Sequence, residues 1–204
     1  GDGTRLKRGG LSQLEAPPMY LHAEFGFAGD EARALTVLYP HRKIESLPGL
    51  RPIAGDGYSG TIIDHGEGLI DLVLESREGT AVDLDADNGP GGTATVSVQA
   101  RVAWLRMEDG RVVSYFVRKG RHLSVDGAAG FDADREVSLT MQGGSGRLVS
   151  SGTQMSLFAG EGPAIVRLGD TELPAQHDGG RVTVDVPAGS YSIEVTGATT
   201  RPRR

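Results

Sequence analysis

The stretch Thr93-Ala94-Thr95-Val96-Ser97-Val98-Gln99-Ala100-Arg101-Val102-Ala103-Trp104-Leu105-Arg106-Met107-Glu108, followed by Asp109-Gly110 and the return run Arg111-Val112-Val113-Ser114-Tyr115-Phe116-Val117-Arg118, decides the fold class. Side chains in a strand alternate between two faces. Here Ala94, Val96, Val98, Ala100, Val102 and Trp104 share one face, and Thr95, Ser97, Gln99, Arg101 and Ala103 share the other. Asp-Gly between two such runs is a hairpin signal, because the tight turns that suit twisted strands need positive φ. The reading is a long antiparallel hairpin, with Trp104 as a core anchor on its apolar face. Lys119-Gly120 then turns the chain into a further strand, His122–Val125.

The same pattern extends outward. Val182-Thr183-Val184-Asp185-Val186 and Tyr191-Ser192-Ile193-Glu194-Val195 alternate strictly, and Pro187-Ala188-Gly189 reads as the loop joining them. Val137–Met141 and Arg147–Ser150 flank Gly143-Gly144-Ser145-Gly146, and Gln154–Phe158 and Pro163–Leu168 follow as strands. Thr61–Asp64 and Leu69–Glu75 read as short strands around His65-Gly66-Glu67-Gly68, and Asp85–Gly92 as a turn. Met19–Phe25 and Arg33–Tyr39 form a possible hairpin after an entering connection over residues 1–18. Residues 43–60, with Pro48, Pro52 and several glycines, read as a long loop, and loops of that length are usually functional or disordered. No segment keeps a helical period. The fold expected is all-β, an antiparallel β-sandwich of supersandwich-like form, with a main sandwich over 1–144 and a smaller β subdomain over 145–204.

Composition bounds the chemistry. The chain has 204 residues, 38% hydrophobic and only 5% aromatic, so its core rests on aliphatic side chains. Its 31 glycines are about twice the usual share of roughly 7%, and they fall between apolar runs, where turns need them. A net charge of -6 argues against nucleic acid as a partner, though a local cationic cleft could still take an acidic sugar. With no cysteine, disulfides and thiolate zinc sites are excluded. No run approaches the ~20 apolar residues of a membrane-spanning helix, so no membrane partner is expected. The start at Gly1 and the lack of a leader pattern suggest a fragment or a processed chain.

The candidate site residues cluster at the end of Leu35-Thr36-Val37-Leu38-Tyr39-Pro40-His41-Arg42. Pro40 stops the strand, because it has no N–H to give a ladder. Tyr39, His41, Arg42 and Lys43 then stand together as a polar wall for a glycan, with Arg42 or Lys43 facing a carboxylate or sulfate and the Tyr39 phenol stacking on a sugar face or shuttling a proton. The plainer alternative is a solvated strand terminus. His22 is a lone strand histidine, which is more often packed than catalytic. Asp64 and His65 could begin a metal site but match no strong spacing. Asp83, Asp85, Asp87 and Asn88 lack the bidentate Glu of a calcium loop and read as a turn. No Ser-His-Asp, P-loop or dinucleotide signature is present, and no metal or cofactor is expected.

Three segments together resemble the C-terminal β-sandwich region of heparinase II/III-like polysaccharide lyases. These are Leu35–Arg42 with its Pro-rich sequel, Thr93–Val125 with its DG hairpin, and the pair Val182–Val186 and Ser190–Val195. The resemblance implies a periplasmic or secreted β-region that supports a catalytic α/α toroid lying outside this chain. The partner it implies is an acidic polysaccharide, cleaved by β-elimination at a uronate. The family's catalytic Tyr and His or Asn map to no position here, so no catalytic residue is assigned and the fragment alone is expected to be inactive. Tyr39, His41, Arg42 and Lys43 are the expected substrate contacts. The rival reading is a free-standing carbohydrate-binding or structural β-sandwich module.

Overall fold

In a computed structural model, the residues described are 5–9, 20–24, 47–87, 92–127, 129–160 and 162–197. Compactness divides the chain into residues 1–39 and 40–204. In the first unit, β1 (Arg5–Gly9) pairs antiparallel with β2 (Tyr20–Glu24), and Lys7 lies opposite His22. The partner of the Met19–Phe25 strand is thus a segment expected to be a connection. Arg33–Tyr39 lies outside the described residues, as do Tyr39, His41, Arg42 and Lys43.

Among the described residues, the second unit forms one antiparallel sheet of 12 strands. Its strands are β3 (Gly49–Gly55), β4 (Tyr58–Gly66), β5 (Leu69–Ser76), β6 (Ala81–Asp87), β7 (Thr93–Glu108), β8 (Arg111–Val125), β9 (Ala129–Gln142), β10 (Ser145–Phe158), β11 (Ile165–Leu168), β12 (Thr171–Glu172), β13 (Ala175–Asp178) and β14 (Arg181–Thr196). The order is β12-β11-β14-β10-β9-β8-β7-β5-β4-β3, with β6 beside the first half of β7 and β13 beside the start of β14. The fold is therefore all-β, antiparallel and sandwich-like. No helix among the described residues is long and apolar enough to cross a membrane.

Asp109 and Gly110 both have positive φ, as the DG hairpin requires, and Glu67-Gly68 closes the β4–β5 hairpin in the same way. Most of the expected loop over 43–60 is instead the β3–β4 hairpin, turning at Asp56-Gly57 with Gly57 at φ +76°. Pro52 is tolerated because β3 is the edge of the sheet, where an N–H is needed on one side only. Asp85 and Asp87, expected in a turn, pair with Thr95 and Thr93 as the end of β6.

Two expected turns are bends inside continuous strands. Lys119-Gly120 lies within β8, and Pro187-Ala188-Gly189 lies within β14, which stays paired to β10 through Gly189↔Ser150 and Ala188↔Ser151. These bends fall on one line. Alternation of buried positions is interrupted between Ala100 and Ala103 on β7, around Lys119 on β8, over Asp134–Glu136 on β9, between Ser150 and Met155 on β10 and between Val186 and Ile193 on β14. Irregular pairing bends strands and increases their twist. Gly120 is needed at this line, since a Cβ there would sit 2.9 Å from the Ala100 Cβ and Lys119 already has φ +51°. The 144/145 boundary falls at the β9–β10 turn, whose flanking strands are hydrogen-bonded neighbours.

The bent sheet shares one core that runs from Ile62 on β4 to Val195 on β14. Leu72, Leu105, Leu123, Phe131, Leu139, Leu148, Met155 and Ile193 are among its fully buried members. The interruption on β7 decides the fate of Trp104. Core positions change from Ala94, Val96, Val98 and Ala100 to Ala103, Leu105 and Met107. A slip of one residue sends every later side chain to the opposite face. Trp104 is therefore not a core anchor. It is half-buried on the reverse face, with the Arg106 guanidinium 5.4 Å from its ring centroid.

Candidate functional site

Among the described residues, two polar centres occur on the sheet faces turned away from the core. The first is centred on Asp71 of β5. Asp71 is opposite Arg106 on β7 and Ile63 on β4, so its neighbours come from both adjoining strands. Arg106 donates from Nε to Oδ1 and from a terminal nitrogen to Oδ2, both at 2.7 Å, a two-pronged grip that suits a planar guanidinium. His65 Nε2 lies 2.9 Å from the same Oδ2. The Asp71 side chain is only 8% exposed. Burial alone would push its carboxyl up, but the hydrogen bonds and charges of Arg106 and His65 outweigh it and hold the carboxyl below the ordinary range.

The second centre is a row crossing six strands. Register places Gln99 (β7), His122 (β8), Asp132 (β9), Ser156 (β10), Thr183 (β14) and Gln176 (β13) side by side. Asp132 is its hub, bound by His122 Nδ1 through one carboxylate oxygen and by an Arg181 terminal nitrogen through the other. Burial again raises the Asp132 carboxyl, but His122 and then Arg181 bring it below its usual value. Ser156 and Thr183 join hydroxyl to hydroxyl at 2.8 Å. Gln99, His122, Asp132, Ser156 and Thr183 of this row line an open groove of about 590 Å³, together with Arg121, Asp134 and Gln154.

This geometry differs from that of a nucleophilic triad. In a nucleophilic triad the histidine stands between the hydroxyl and the acid. Here Asp132 stands between His122 and Ser156, and at ~4.8 Å per strand the histidine and serine backbones are roughly 10 Å apart. Among the described residues, no group of three or more His, Cys, Asp or Glu could hold a metal ion. Asp64 turns inward on its own loop, accepting from the Gly66 N–H at 2.8 Å, while His65 engages Asp71. His22 lies on β2, in the first unit.

None of the residues in the row was a candidate from sequence. The available signal was the spacing of polar residues two apart on successive strands: Ser97/Gln99, His122/Ser124, Asp132/Asp134, Gln154/Ser156 and Thr183/Asp185. Each pair alone is an ordinary solvent face. Only the register aligns them.

Both carboxylates make stability depend on acid. A carboxyl held below its unfolded value of ~3.9 contributes stability that is complete above that value and is lost as pH falls through the folded value. Urea unfolding between pH 5 and pH 2 should therefore show stability dropping below about pH 4. In an Asp71→Asn protein that drop should be shallower. An identical slope in the variant would show that Asp71 titrates alike in the folded and unfolded chains.

Comparison with known proteins adds no relative: no family model matches the chain, and no curated protein matches it.

Proposed function

We propose that this chain is a glycan-contacting β-domain of a polysaccharide lyase of the heparinase II/III-like type, with the polar groove on its sheet as a substrate-facing surface. The observation that carries the reading is the row Gln99–His122–Asp132–Ser156–Thr183 along a 590 Å³ groove. Amides, hydroxyls and carboxylates in one line match the donors and acceptors of a sugar chain. Arg121, which also lines the groove, adds a guanidinium able to meet a uronate. The domain's role is support and positioning, because the row lacks a nucleophile–base–acid arrangement. The resemblance carried by Thr93–Val125 and by the Leu35–Arg42 segment points to the lyase type, with the catalytic toroid outside this chain.

The test is retention on immobilised heparin, chondroitin and alginate at low salt, beside an assay for unsaturated uronate with the chain and with its parent protein. Binding to at least one glycan is expected, with no product from the chain alone and product from the parent. Arg121→Ala should weaken binding about tenfold, as for loss of a charge-assisted hydrogen bond. If Tyr39→Ala or Arg42→Ala weakens binding and Arg121→Ala does not, the contact surface is the Tyr39–Lys43 strand end instead. Glycan binding by the chain with no lyase parent would make it a free-standing binding module, and no binding to any of the three would overturn the glycan reading.

A further inference from the structure

A second cavity, of about 410 Å³, lies on the core side of the sheet rather than on its polar face. Val112, Val113, Tyr115, Ala129, Met141 and Leu157 are among its lining residues. Among the described residues, no charged side chain lines it. Val113 is the extra residue at the pairing irregularity between β7 and β8, where Arg106 faces Ser114 and Met107 faces Val112. Gly130, Gly143, Gly144 and Gly197 also line the cavity, all at positive φ, so part of its wall carries no side chain.

Tyr115 is the anomaly. It is only 7% exposed, and its ring stacks on Phe131 with centroids 6.3 Å apart and an interplanar angle of 11°. Yet its hydroxyl has no hydrogen-bond partner among the described residues. Buried polar groups are nearly always satisfied, and an exception calls for an explanation. Buried tyrosine hydroxyls in particular usually find a partner. Burial pushes this phenol well above its ordinary range, so it is a neutral donor at every physiological pH.

We propose that this cavity is a binding site for a small, neutral, mainly apolar molecule carrying one acceptor oxygen, which receives a hydrogen bond from the Tyr115 hydroxyl. The volume is within the range of small-molecule sites. At water's share of ~30 Å³ it holds about a dozen heavy atoms. The apolar lining supplies the burial, and the phenol supplies orientation. An anion is disfavoured because no lining side chain would balance its charge. The site is independent of the glycan groove, since none of the groove residues lines it.

The test uses N-phenyl-1-naphthylamine as a fluorescent probe, displaced by acetophenone, by its alkyl counterpart isopropylbenzene and by benzoate. Saturable probe binding is expected, with backbone amide shifts concentrated at Gly143, Gly144 and Gly130. Acetophenone should displace the probe and benzoate should not. In Tyr115→Phe the melting temperature should hold or rise, because an unpartnered hydroxyl is removed. The affinity ratio of acetophenone to isopropylbenzene should fall about fivefold to tenfold, as for loss of one hydrogen bond. Ala129→Leu, which fills the space, should weaken all neutral ligands while the fold is retained. Absence of saturable binding, shifts lying elsewhere, benzoate outcompeting acetophenone, or an unchanged ratio in Tyr115→Phe would each overturn the proposal.

Discussion

An Asp71→Ala protein is expected to lose about 3–5 kcal/mol of stability, the usual cost of breaking a buried ion pair from one side. For a domain of this size that is a fall in melting temperature of roughly 6–20 °C. The cost comes from geometry. Asp71 is the anion between Arg106 and His65, each drawn to it by a hydrogen bond of 2.7–2.9 Å. Removing it takes away the carboxylate that the Arg106 guanidinium and the His65 ring share, at a position only 8% exposed. The paired replacement Asp71→Leu with Arg106→Met should recover much of the loss, since well-packed apolar residues often equal or exceed a buried ion pair. Trp104, the single tryptophan, gives a direct readout because Arg106 lies over its ring. Its emission should change in Asp71→Ala even below the melting transition. A loss under about 1 kcal/mol, the range of solvated surface pairs, would show that this centre is energetically at the surface.

Phe131→Ala is expected to cost about 3–5 kcal/mol, the range for large aromatic truncations in a core. Phe131 is 1% exposed. It sits in a row with Leu123 on β8 and Leu157 on β10, and it also stacks on Tyr115 from the other half of β8. The contact with Tyr115 joins the two sides of the bend, so its loss removes packing that neither half supplies alone. Phe131→Leu keeps much of the apolar volume and should cost a minor part of the alanine value. Chemical denaturation of the two variants measures both. If leucine costs as much as alanine, the ring contact matters more than the buried volume.

Legibility in the sequence differed by element. The Asp109-Gly110 hairpin was readable because its turn chemistry is local: two residues at positive φ between two alternating runs. The Asp56-Gly57 hairpin carries the same Asp-Gly pair, with Gly57 at positive φ, but Pro52 and the surrounding glycines concealed it. A proline argues against a strand only when both of its edges must be paired, and edge status is a property of the whole sheet. Lys119-Gly120 and Pro187-Ala188-Gly189 have turn composition, and they do bend the chain. Whether a bend reverses a strand or merely kinks it depends on whether the neighbouring strand continues past it, as β10 does past Gly189.

The sequence by itself determined that this protein is all-β and antiparallel, because alternation and turn residues act over a few positions. It also determined the aliphatic nature of the core. Tertiary structure alone decided the rest. The line of interruptions across β7, β8, β9, β10 and β14 moved Trp104 off the core face, since one residue of slip reverses every side chain beyond it. Cross-strand register aligned Gln99, His122, Asp132, Ser156 and Thr183 into one row from five separate strands. It likewise brought Asp71 to Arg106, 35 residues away. Both polar centres are products of strand pairing, and pairing partners are chosen by the packing of the whole sheet, which no local stretch encodes.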